Sequence, residues 1–194
     1  MAEVKHLTTQ ELQAGLESIR QSPKDKGILT LIVRRPGIGE REILDEGELD
    51  PRHGLVGDGW GGRVSVRTAD GSPHPEMQLT LINSRLIALV AQAEERLALA
   101  GDQLYVDLDL SGDNLPPGTR LALGSAVLEI TNQPHTGCKK FVARFGLDAM
   151  KFVNSPVGRQ FNLRGIYARV VVPGIIRTGD AVTKIPCQAE VSTV

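Results

Sequence analysis

Aromatic residues make up only 4% of this 194-residue chain, and 22 basic against 23 acidic side chains leave a net charge of −1. With no basic excess and few stacking rings, the composition gives no electrostatic case for a nucleic-acid partner. Cysteine is scarce: Cys138 and Cys187 are the only two, too few for a disulfide framework. The opening stretch, M-A-E-V-K-H-L-T-T-Q, lacks the apolar segment of a secretory signal, so a reducing, cytoplasmic setting is expected and pairing of the two thiols is not. No run approaches the roughly 18 apolar residues of a membrane span, so no membrane partner is expected. Hydrophobic content of 41% over this length suits one globular domain with a real core.

The chain opens with a helix pattern over Thr8–Arg20, where Thr8 and Glu11 form a capping box and Leu12, Leu16 and Ile19 share a face before Pro23. Residues 1–26 therefore read as a helical extension docked on a domain. A β-branched run at Ile28–Arg34 predicts a strand, Pro36-Gly37-Ile38-Gly39 a turn, and Arg41–Leu44 a second strand. Residues 49–63 then hold five glycines in fifteen positions, which predicts a loop approaching something closely. Gly57, Gly59 and Gly62 formally spell G-x-G-x-x-G, but the following Val64, Val66 and Thr68 alternate as a strand does, so the dinucleotide reading is rejected for want of a helix. His53 and Asp58 in this loop are candidate ligand contacts, with turn capping as the competing role.

Gln78–Leu81 predicts a short strand and Asn83 the N-cap of a helix over residues 84–100, with Leu86, Val90, Ala93 and Leu97 as its buried stripe and Gly101 closing it. Short strands separated by glycine and proline turns fill residues 104–185 and predict a curved sheet or barrel. Asn114, in the loop S-G-D-N-L-P-P-G, suits an amide held in one orientation, and it equally suits a turn cap. The tail, residues 186–194, is small and polar, which makes Cys187 a poor partner for precise chemistry.

Cys138 stands at the mouth of the strand S-A-V-L-E-I. Pro134 removes a ladder donor there, and Gly137 lets the backbone turn by admitting a positive φ. Lys139, Lys140 and Arg144 follow at once, and Phe141, Val142 and Phe145 give a short helix an apolar face. A thiol at a helix start beside cations has a lowered pKa, as nucleophilic attack and soft-metal ligation require.

The segments S-G-D-N-L, G-S-A-V-L-E-I-T, the lone cysteine followed by lysine, R-G-I-Y-A-R-V and G-I-I-R-T-G-D occur in the order and spacing of the MOSC domain, which the chain resembles over residues 27–185. The resemblance implies a β-rich α+β fold, a curved sheet or β-barrel with a few flanking helices. It implies that Cys138 ligates molybdenum or carries sulfur as a persulfide. It also places Asn114 and Arg164 near a pterin pocket, with His135, Thr136 and Lys139 beside the thiol. Relatives include reductases of N-hydroxylated compounds. The chain departs from many members in having Gly137 where they carry proline before the cysteine, and Trp60-Gly61-Gly62 where they carry His-Gly-Gly.

Two functions follow from the resemblance. One is a molybdenum-cofactor-dependent reductase of N-hydroxylated or related small molecules, served by an electron-donor protein. The other is a module that takes sulfur from a donor protein onto Cys138 and passes it to an acceptor, without small-molecule turnover. Pyridoxal phosphate, which the family's longer members bind in a separate domain, is not expected in this chain. A third reading, from the residues alone, makes His135 and Cys138 half of a zinc site with Cys187 and His53 or His74. Its weakness is the lack of the paired Cys-x-x-Cys or His-x-x-x-His ligands that structural zinc draws on.

Overall fold

The computed structural model describes residues 5–186. Cys187 and the rest of the tail lie outside the described residues. Strand β1 (Lys26–Arg34) leads into β2 (Glu42–Leu44), β3 (Glu46–Asp50) and β4 (Gly54–Leu55). After the glycine loop come β5 (Leu79–Asn83), β6 (Leu104–Asp107), β7 (Arg120–Leu123), β8 (Ala126–Ile130), β9 (Ile166–Val172), β10 (Gly174–Arg177) and β11 (Ala181–Ile185). Seven of them close a barrel in the order β1-β11-β7-β8-β9-β5-β6 and back to β1, with β2 added alongside β1. All these pairings are antiparallel except β5 with β6, where Leu81, Ile82 and Asn83 face Leu104, Tyr105 and Val106 in parallel. A small second sheet, β10-β3-β4, packs Leu49, Leu55 and Ile176 onto the barrel interior.

Strand alternation divides the apolar residues between two cores. Leu29, Ile32, Leu79, Leu81, Leu104 and Val106 fill the barrel, while Val33, Ile82 and Tyr105 point outward and meet the helices. Because β5 is covered on both faces, all five of its residues are buried, the polar Thr80 and Asn83 included. The helices lie on that outer face: α1 (Thr9–Arg20), α2 (Ser84–Ala91), α3 (Lys139–Phe145), α4 (Leu147–Asn154) and α5 (Pro156–Gln160). The Thr8–Glu11 capping box forms as expected, and Leu12 and Ile19 of α1 are buried in the helical core. No described helix is long and apolar enough to cross a membrane.

Three local expectations are corrected. The helix expected over residues 84–100 breaks at Gln92, whose φ of 61° is left-handed, and resumes as a 3-10 segment, Glu94–Ala100. The break lets the carbonyl of Leu97 accept from the buried Tyr105 hydroxyl at 3.0 Å. No strand forms over Val64–Thr68. Val64 and Val66 are 84% and 100% exposed, so an alternation with no buried face built a loop instead. Gly137 does not use a positive φ. A Cβ there would sit 3.0 Å from Val153 Cγ2 and 3.2 Å from Asn154 Nδ2, so glycine fits the close approach of α4 where a larger residue would press on these side chains.

Candidate functional site

The strand β8 delivers the chain to Thr131, whose hydroxyl donates to the carbonyl of Glu76, and an irregular run then leads to Cys138 at the N-cap of α3. Asn154 on α4 pins this run, accepting from the Gly137 amide at 2.9 Å and donating to the Gly137 carbonyl at 3.2 Å. The thiol is exposed. Burial of its inner side pushes its pKa up, but the amides of Phe141 and Lys140, with the charges of Arg164 and Lys140, outweigh this and lower it. No hydrogen bond in the cap reaches the sulfur, so the amides act as oriented dipoles.

Cys138 opens onto a cleft of about 1140 Å³. Arg35 and Arg41 line it from the loop after β1, Arg63 and Arg67 from the end of the glycine loop and the stretch after it, Lys140 and Arg144 from α3, and Arg164 from the turn before β9. Among the described residues no Asp or Glu lines it. The carboxylates that balance part of this charge sit behind the wall. Asp58, fully buried, accepts from Nε and Nη2 of Arg35 at 2.9 and 2.8 Å and from the Arg35 amide at 2.9 Å. Burial raises the Asp58 pKa, but Arg35 overcomes that and holds the carboxyl below its usual range. Asp102 accepts from Arg164 Nη1 at 3.0 and 2.9 Å. The Arg164 guanidinium also stands over the Phe141 ring, 5.1 Å from its centre.

His135 lies against Tyr167 with ring centres 4.6 Å apart and planes tilted by 39°. Its Nδ1 lies 3.8 Å from Asp102 Oδ1, too far for a hydrogen bond. Burial first, then the Arg164 charge, push the imidazole pKa down to about 3 against the pull of Asp102. The ring is therefore neutral, and the contact with Asp102 is not an ion pair. His135 Nδ1 and Arg164 Nε are both buried without a hydrogen-bond partner among the described residues. Polar atoms left so in a cleft wall are unusual and fit a site built to receive a polar ligand.

The structure thus brings Cys138, His135 and Arg164 to one cleft and places Asp58 directly behind it. The glycine loop borders the cleft through Gly59, Trp60 and Gly62. Asn114 does not belong there. Its amide donates to the carbonyls of Lys24 and Asp109 at 2.9 and 2.8 Å and accepts from Lys184, beside a separate small cavity. This is the turn-fastening role that its spacing also allowed. His53 is 70% exposed on a turn and pairs with Asp50, while Thr136 and Lys139 are exposed and do not line the cleft. It is Lys140, one residue on, that reaches in. Among the described residues no three His, Cys, Asp or Glu side chains converge as metal ligands. Of the zinc set, His53 is apart and Cys187 lies outside the described residues.

Sequence reasoning missed Arg35, Arg41, Asp102 and Tyr167 as site residues, and it read Arg144 only as a cation following the thiol. Asp102 carried a usable signal, being the first residue after the Gly101 helix stop and leading straight into a strand. Arg35 and Arg41 carried none, since they stand far from Cys138 in the sequence.

The chain is thus a closed mixed barrel with helices on one face, and Cys138 is the one cysteine among the described residues that opens onto its cation-walled cleft. The chain belongs to the MOSC domain family, whose family model matches residues 74–183, more than half of its length. Solved structures share the fold. The YuaD protein of Bacillus subtilis is 18% identical at a TM-score of 0.55, covering 81% of this chain and 94% of its own. YiiM of Escherichia coli is 19% identical at 0.52, covering 84% and 72%. YiiM of Geobacillus stearothermophilus is 15% identical at 0.55, covering 83% and 75%. No curated protein matches the chain in sequence.

Proposed function

We propose that the protein binds a molybdenum cofactor in this cleft through Cys138 and reduces N-hydroxylated or related small molecules. The observation that carries the reading is the convergence of a lowered-pKa thiol with a wall of cations and no lining carboxylate. Such a wall suits an anionic, phosphate-bearing ligand, and a thiolate suits a soft, redox-active metal. The unpartnered Arg164 Nε and His135 Nδ1 fit as donor and polar contact for that ligand.

In this reading Cys138 supplies the metal-binding thiolate. Arg164, fixed by Asp102, and Arg35, fixed by Asp58, present guanidinium groups whose positions the buried carboxylates set. Neutral His135 contributes a polar surface without adding charge. When bound, the cofactor supplies two-electron redox chemistry. Cleavage of an N–O bond consumes two electrons and two protons and releases water. Two cysteines are fewer than the four thiolates of an iron–sulfur cluster, so we assign the electron supply to a donor protein. The exposure of Cys138 favours a second reading, a sulfur carrier whose persulfide a partner protein can reach.

The test is to purify the protein from cells that make the cofactor and to measure molybdenum, pterin fluorescence and the mass of the Cys138 peptide. Bound molybdenum with turnover of an N-hydroxylated compound supports the reductase. A persulfide mass without molybdenum supports the carrier.

A further inference from the structure

The most exposed large apolar side chains among the described residues are Ile38, Val66 and Val64, and all three stand on loops that border the Cys138 cleft. The loop carrying the two valines is secured by its own hydrogen bonds. The Ser65 amide donates to the Gly71 carbonyl at 3.2 Å, and the Thr68 hydroxyl to the Ser72 carbonyl at 2.6 Å. Arg67 Nη1 donates to Gln133 Oε1 at 3.1 Å, which ties the loop to the segment leading into Cys138. The valines are therefore held outward by a formed loop. Arg63 and Arg67 of the same stretch are exposed, as are Lys139 and Lys140 beside the thiol. Two exposed carboxylates share these loops, and both are turned back onto them. Asp70 accepts from the Ser72 amide at 3.0 Å, and Glu40 Oε2 lies against Gly37, 2.7 Å from where a Cβ would stand. Apolar tips with a surplus of cations about them are complemented by an acidic protein surface with an apolar centre. A lipid surface is less suited, since membrane-interface anchors are rich in Trp, Tyr and Phe and the tips here are valine and isoleucine.

We propose that Ile38, Val64 and Val66, with the cations beside them, form the docking surface for an acidic one-electron carrier protein of the ferredoxin or flavodoxin class. The proposal rests on the reductase reading and names the face and the chemistry of its electron donor. A carrier seated on these tips covers the mouth of the cleft into which the exposed thiol opens, so its redox group is brought toward the site. Cleaving an N–O bond takes two electrons, so two reduced carriers dock in turn and each leaves oxidised by one electron. Two protons from solvent complete the balance, and the products are the amine and water. Three side chains make a small patch, which suits the weak, transient contacts of electron-transfer proteins.

The full chain, purified from cells that make the cofactor, is titrated calorimetrically with the acidic ferredoxins and flavodoxins of its source organism. The expected result is binding to one of them that weakens as salt is raised. The double variant Ile38→Ser with Val66→Ser should melt as wild type does, because both side chains are exposed, and should bind that carrier at least tenfold more weakly. Its turnover of an N-hydroxylated compound should fall with the reduced carrier as donor and stay within twofold of wild type with dithionite-reduced methyl viologen, which needs no docking surface. Wild-type protein that binds none of the carriers overturns the proposal, and so does a double variant that binds as wild type does. Binding to anionic phosphatidylglycerol vesicles that the double variant loses, with no carrier bound, assigns the tips to a membrane and overturns it as well. The titration does not depend on molybdenum, so a protein without metal that still binds the carrier refutes the functional reading and leaves the docking surface standing.

Discussion

A single nitrogen of Arg164, Nη1, faces both carboxylate oxygens of Asp102 at 3.0 and 2.9 Å, and both side chains are buried. This one pairing leaves the rest of the guanidinium directed elsewhere, with Nε unpartnered and the plane over Phe141. Asp102 itself makes no direct contact with the cleft, so its part is to hold Arg164 and to share the neighbourhood of His135.

Replacing Asp102 with Asn strands the Arg164 charge. Breaking a buried pair by removing one partner costs about 3–5 kcal/mol, and denaturant unfolding should show a loss in that range. Asp58→Asn, which strands Arg35, should do the same. A loss under 1 kcal/mol for either would show that the cleft wall does not depend on its buried carboxylates.

Acidification gives a second test through His135. Its folded pKa, about 3, lies below the unfolded value, so below about pH 6.5 the unfolded chain holds a proton there that the folded chain does not. Stability is full above that pH and falls as the pH drops toward 3, by about 1.4 kcal/mol per pH unit from this group alone. His135→Gln should remove that component of the slope between pH 6 and 4, measured by urea unfolding. An unchanged slope would mean that the imidazole is not held neutral.

The barrel was legible because half-buried strands announce themselves by alternation, as in S-A-V-L-E-I, and because capping residues such as Thr8 and Asn83 mark helix starts. Alternation failed where it had no tertiary partner. Val64 and Val66 follow the pattern, yet nothing packs on them. The break at Gln92 was invisible for the opposite reason, since the helix stripe continues through it and the contacts that favour the break come from Tyr105 on another element. At the site, Cys138 could be read from its own neighbours in sequence. The full cation wall could not, because Arg35, Arg41, Arg63 and Arg67 come from stretches that meet the thiol only when the barrel closes.

Asn114 supplies a contrast between structure and function. Asn114→Ala removes two hydrogen bonds to backbone carbonyls and should cost about 1–3 kcal/mol by leaving them unsatisfied. Ligand binding in the Cys138 cleft should be unaffected, because Asn114 borders a different cavity. Lost cofactor content in a folded Asn114→Ala protein would contradict this placement.

Gly137→Ala tests the fit between the cysteine loop and α4. Its Cβ would press on Val153, Asn154 and Met150 at 3.0–3.2 Å, and overpacking of this kind costs about 1–3 kcal/mol. The variant should melt lower, and its Cys138 should alkylate with a shifted pH midpoint because the loop carries the thiol with it. A wild-type melting temperature and midpoint would show that the loop has slack.

Cys138 is exposed, so serine in its place should leave the melting temperature within a degree or two while removing the thiolate on which the functional reading rests. The most direct measurement is therefore molybdenum content and pterin fluorescence of wild-type and Cys138→Ser protein, purified side by side from cells that make the cofactor. The account predicts molybdenum and pterin on the wild type and a severe loss of molybdenum from an equally folded variant. Equal molybdenum on both, or none on the wild type, would contradict it.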